Sequence, residues 1–153
     1  MLSRSLKSVG VVLGVVGIMA ATQAPAAAAQ SFDINTDMSD GYAHVYGEVS
    51  FVNARSVYVN SYVADRCASN GQGDGEGAYV WLQIKYTDGT YNAKAIYQNY
   101  DDNGCSNGYI PSGSTYSMLR NISWVRIRLD EGNGPNDSTP DTALSTQKDN
   151  PYT

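Results

Sequence analysis

Few residues in this chain could do covalent chemistry. His44 is the only histidine, and Cys67 and Cys105 are the only cysteines. In an exported chain, which the N-terminal segment indicates, an even pair of cysteines reads as a disulfide. A serine would then have to be the nucleophile with His44 as its base, yet no G-x-S-x-G is present. His44 falls on the polar parity of a strand and reads as a surface or edge-strand histidine. One histidine and two cysteines are also too few soft ligands for a structural zinc site. Carboxylates are commoner: Glu48, Asp65, Asp74, Glu76, Asp88, Asp101 and Asp102. Glycoside hydrolysis needs two of them about 5–10 Å apart, and no spacing here selects a pair. The chain therefore reads as non-enzymatic.

Binding chemistry is better represented. Residues 70–77 (NGQGDGEG) and 101–104 (DDNG) offer oxygen ligands on glycine-rich loops, with Asp74, Glu76, Asp101 and Asp102 as candidate calcium ligands. Calcium takes six to eight oxygens, although the first loop lacks the EF-hand pattern. No other cofactor is implied. The twelve tyrosines are the second feature. Tyr79, Trp81, Trp124, Arg126 and Arg128 fall on strand parities that point outward and form a candidate binding face. Tyr, Trp and Arg dominate binding hot spots, and aromatic rings also stack on sugars.

Strands must position these groups. Residues 41–53 and 56–64 alternate apolar and polar, as a half-buried strand does. Gly47 sits on the apolar parity and marks a bulge or a close backbone approach. Residues 78–87 place Ala78, Val80, Leu82, Ile84 and Tyr86 on one face. Asp88-Gly89 then predicts a two-residue hairpin turn with positive φ at both positions, leading into 90–98. Residues 115–119 are a weaker strand and 121–129 a strong one, with Val125, Ile127 and Leu129 inward. The expected fold is all-β: a small antiparallel β-sandwich or barrel of about six strands, with one disulfide, Cys67–Cys105.

The ends of the 153-residue chain are unlike this core. Arg4 and Lys7 precede an uncharged apolar run at 9–21, which is shorter than the roughly 20 residues a membrane span needs. Small residues follow, with an A-x-A match at Ala27 and Ala29. This is the pattern of a signal peptide at 1–29, cleaved before Gln30. The expected product is secreted, with no membrane association after cleavage. Its charge is 8 cations against 15 anions, or −7, against −5 for the whole chain. That balance disfavours nucleic acid as a partner. Residues 130–153 carry three prolines and almost no apolar side chains, so a disordered tail is expected there. The domain would then be 30–129.

The leader, Gly47…Phe51, Val57 to Val63, Asp65 to Cys67, the Gly73 to Gly77 loop, Tyr86-Thr87-Asp88-Gly89-Thr90 and Gly104-Cys105 together resemble the small secreted β-rich proteins of actinobacteria. That resemblance implies export and an all-β fold, and no activity. A more partial likeness is to the secreted bacterial α-amylase inhibitors, which are six-stranded sandwiches. Their Trp-Arg-Tyr turn and second disulfide are absent here. The expected function is extracellular binding, with a carbohydrate or an extracellular protein as partner. The alternative is inhibition of an extracellular hydrolase through a rigid loop at 99–104.

Overall fold

The computed structural model describes residues 27–36, 41–67, 71, 75–102, 104–105 and 108–153. Among them it shows nine strands and no helix: β1 Gln30–Asn35, β2 Gly41–Asn53, β3 Ser56–Cys67, β4 Gly77–Tyr86, β5 Tyr91–Asp101, β6 Ile110–Ser117, β7 Ile122–Gly132, β8 Asp141–Leu144 and β9 Lys148–Asp149. They form two antiparallel sheets. One has the order β1-β2-β3-β6, the other β5-β4-β7-β8, with β9 also paired to β7. The sheets pack as a sandwich, as expected.

Alternation places the core between them. Val45, Val49, Phe51, Val57, Val59 and Val63 from one sheet meet Val80, Leu82, Ile84, Val125, Ile127 and Leu129 from the other. All are essentially inaccessible. Burying a side chain of this size contributes roughly 1.5–3 kcal/mol. β-Branched residues are abundant here because they suit the pleated, half-buried surface. Gly47 is a close approach and not a bulge. A Cβ there would lie 2.0 Å from the Asn60 carbonyl oxygen across the β2–β3 ladder.

The turn between β4 and β5 differs from the predicted one. Gly89 donates its N–H to the Tyr86 carbonyl at 3.0 Å, and Tyr86 donates to Thr90 at 2.9 Å. Only Gly89 is left-handed, with φ of 89°, and no described non-glycine residue has positive φ. The loop is thus three residues, Thr87-Asp88-Gly89, with the glycine alone absorbing the unfavourable conformation. Asp88 holds the turn by accepting from the Thr90 N–H at 2.8 Å.

The C-terminal segment is folded, which corrects the expected disordered tail. Asp130 to Gly132 extend β7, β8 pairs with Arg128 to Glu131, and β9 pairs with Trp124 and Val125. Asn150 is buried and donates its Nδ2 towards the carbonyls of Asn53, Ala54 and Ile122. A strand on a sheet edge can leave its side chains in water and still be held by the ladder. Low apolar content removed the burial signal but not the main-chain bonds. β1 also falls outside the predicted set of strands. The predicted leader, apart from residues 27–29, lies outside the described residues.

Candidate functional site

Cys67 and Cys105 form the expected disulfide, with Cα atoms 4.8 Å apart. It joins the end of β3 in one sheet to the segment after β5 in the other. Close by, Asp101 is fully buried and accepts from the Asp65 N–H at 3.1 Å. The four candidate calcium ligands therefore serve different ends. Asp74 lies outside the described residues. Asp101 faces the interior, Glu76 accepts from the Asn133 amide at 3.3 Å, and Asp102 is exposed. Among the described residues no group of three or more His, Cys, Asp or Glu side chains could hold a metal ion.

The predicted binding face is the outer surface of the five-stranded sheet. Cross-strand register brings Trp81 opposite Arg128, Gln83 opposite Arg126 and Lys85 opposite Trp124. Most of its polar groups already have partners. Arg126 donates to the Gln83 side-chain oxygen at 2.5 Å, and Tyr91 donates to the same oxygen at 2.8 Å. The Arg126 guanidinium lies 5.7 Å from the Trp124 ring centre. Arg128 donates to Asp130 at 2.6 Å. Lys94 sits 3.0 Å from the other Asp130 oxygen and 4.7 Å from the Trp81 ring centre. Tyr79 follows the outward parity, yet it is only 5% exposed because β5 aromatics cover it.

Three accessible rings of β5 lie outside the sequence reading: Tyr91, which is 43% exposed, and the pair Tyr97 and Tyr100. Tyr97 and Tyr100 are 40% and 47% exposed. Tyr97 lies 4.8 Å from Trp81 and 5.8 Å from Tyr100, ring centre to ring centre. Their spacing of three should place them on opposite faces. A bulge between Val80/Trp81 and Asn99/Tyr97 cancels this. It turns Gln98 and Asn99 both inward and so returns both tyrosines to the outer face. Inside, Gln98 accepts from the Ser61 hydroxyl at 2.5 Å, and Asn99 donates to the Ile110 carbonyl at 2.8 Å. Polar Gln98-Asn99 between two tyrosines was the available signal for such a bulge. Burial, then the charges on Tyr79, Tyr100 and Asp102, push the Tyr97 phenol well above its ordinary range.

The outer face of the four-stranded sheet carries a second aromatic group. Tyr46 and Tyr62 stack at 5.0 Å, and Tyr109 meets Tyr46 edge-on at 5.0 Å. His44 bridges two elements here, with Nε2 2.7 Å from Asp33 and Nδ1 2.6 Å from the Tyr109 hydroxyl. The Arg66 guanidinium covers the Tyr109 ring at 4.5 Å. His44 is thus partnered at both ring nitrogens. The hydroxyl beside it belongs to a tyrosine whose ring is packed by its neighbours. Residues 99–101, the start of the predicted inhibitory loop, belong to β5. Compared with known proteins, the chain matches no family model, no curated protein and no solved structure.

Proposed function

We propose that this is an exported, non-catalytic binding protein whose recognition surface is the Tyr97–Tyr100–Trp81 platform, with a glycan as its ligand. One observation carries the reading: the bulge at Gln98 and Asn99 holds two tyrosines outward, side by side, on a rigid edge strand. Rings fixed in this way lose little entropy on binding. Their exposed edges and faces suit the alternating C–H and O–H surface of a sugar, and the outward phenols supply hydrogen bonds. Side chains anchored from below by Ser61 and Ile110 do not have to be ordered by the ligand. Extracellular polysaccharides are the natural test ligands for an exported protein.

Affinity electrophoresis through gels containing soluble polysaccharides tests this reading. Retardation by at least one polysaccharide is expected, without its depolymerisation. Tyr97→Ala together with Tyr100→Ala should weaken retardation by about tenfold or more. Release of reducing ends would contradict the non-catalytic reading. Stoichiometric loss of a hydrolase's activity on adding the protein would favour inhibition instead.

A further inference from the structure

A groove of about 750 Å³ lies on the opposite side of the sandwich. Ser31 to Ile34 of β1 line it along the sheet edge, and Tyr46, Glu48, Asn60 and Tyr62 continue it across the outer face of β2 and β3. The facing wall is the segment from Leu144 to Lys148 that joins β8 to β9. β1 is the outermost strand of its sheet, and among the described residues no strand pairs with its far side. Phe32 packs into the core between the sheets, and hydrogen bonds join them at the two ends of this window. Gln30 donates its side-chain amide to the Asp149 carbonyl at 3.2 Å at one end, and Thr36 donates its hydroxyl to Glu131 at the other. Ser145 stays folded back on β7, where its hydroxyl accepts the Ile127 N–H at 2.9 Å, so it leaves the window open.

We infer that this groove accepts an extended peptide from another protein, added as a strand beside β1 and alternating basic with apolar side chains. A strand edge presents N–H and C=O groups ready for such addition. Four residues of β1 span roughly 13 Å at the usual rise. The side-chain pattern follows from the walls. On the outer side, Asp33, paired with His44, is 71% exposed and Glu48 is exposed with no ion pair among the described residues; these two carboxylates outnumber Lys148 in the lining, so basic side chains are favoured there. On the inner side, Ile34 and Leu144 offer partly covered apolar surface. The acidic balance of the whole chain acts in the same direction. This site is separate from the Tyr97–Tyr100 platform and does not depend on it.

The probe is a hexapeptide alternating Lys and Val, added to isotope-labelled protein and followed by amide NMR. Shifts and slowed hydrogen exchange are expected at residues 31–35. A hexapeptide alternating Glu and Val should bind about tenfold more weakly, and backbone N-methylation of the Lys/Val peptide should abolish binding. Glu48→Lys, a surface change outside the core, should reverse the preference between the two peptides. Equal binding of the N-methylated peptide would overturn the proposal, as would perturbation confined to Tyr97 and Tyr100. Silence at millimolar peptide would also overturn it. So would a peptide-insensitive dimer of this chain through β1, or displacement of the peptide by a soluble glycan.

Discussion

The two seams of the sandwich are built differently. Where β5 meets β3 and β6, the sheets are joined along their length. Ser61, Gln98, Asn99 and Asp101 are buried polar groups bonded across the gap, and the Cys67–Cys105 bridge closes the end. Where β1 meets β7, β8 and β9, Phe32 packs into the core and the side-chain hydrogen bonds of β1 and Thr36 lie at the ends, Gln30–Asp149 and Thr36–Glu131. The first seam is closed and carries an aromatic platform. The second is open and exposes main chain. Buried polar groups with partners fix a unique arrangement, and a gap without them leaves room for a ligand.

The largest test of this contrast is removal of the bridge. Cys67→Ser with Cys105→Ser should destabilise the fold by up to about 4 kcal/mol, from the closure entropy of a loop with sequence separation 38. Urea unfolding measures it, and a cost near zero would mean that the polar bonds alone close the seam. Next is Gly47→Ala. The added methyl collides with main chain and not with a movable side chain. A loss of about 3 kcal/mol is expected, at the upper end for overpacking.

A matched pair of single changes then compares the seams directly. Ser61→Ala strips a bonded hydroxyl from a fully buried site and should cost about 1–3 kcal/mol. Gln30→Ala removes an exposed bond at the open seam and should stay within about 0.5 kcal/mol. Equal costs would erase the distinction.

The smallest effect concerns pH. Burial raises both the Tyr79 and Tyr97 phenols. A raised folded value means that the unfolded chain loses these protons first. Their contribution is therefore complete below the ordinary tyrosine range and is lost as pH rises above about 10. Tyr97→Phe should flatten that alkaline decline in a series of melting curves. At the other extreme, the N–H groups of Thr139 and Asn133 hold the Asp137 carboxyl below its usual range. Its contribution is present at neutral pH and fades as pH falls through the folded value. An NMR titration of Asp137 with a midpoint below the ordinary carboxylate value is expected.

Period-two alternation made β2, β3, β4 and β7 legible, because each buries one face against the other sheet. It also identified the inward sets on β4 and β7, while the even cysteine pair in an exported chain pointed to the Cys67–Cys105 bridge. It missed β8 and β9, where edge strands are held by main chain and by Asn150 instead of by apolar burial. At the site, Trp81, Trp124 and the two arginines do share an outer face, but the local pattern did not show that Gln83, Asp130 and Lys94 already engage them. Tyr97 and Tyr100 escaped because a bulge breaks the parity on which such a reading relies. Bulge position depends on what waits across the gap, here Ser61 and the Ile110 carbonyl, and those lie far away in sequence.

The central claim is that recognition belongs to the Tyr97–Tyr100 platform on the closed seam. It is tested most directly by comparing retardation of the unaltered protein, the Tyr97→Ala/Tyr100→Ala variant and the Glu48→Lys variant in polysaccharide gels. The account predicts that the double variant loses retardation by about tenfold or more while Glu48→Lys keeps it. Undiminished retardation of the double variant would contradict it.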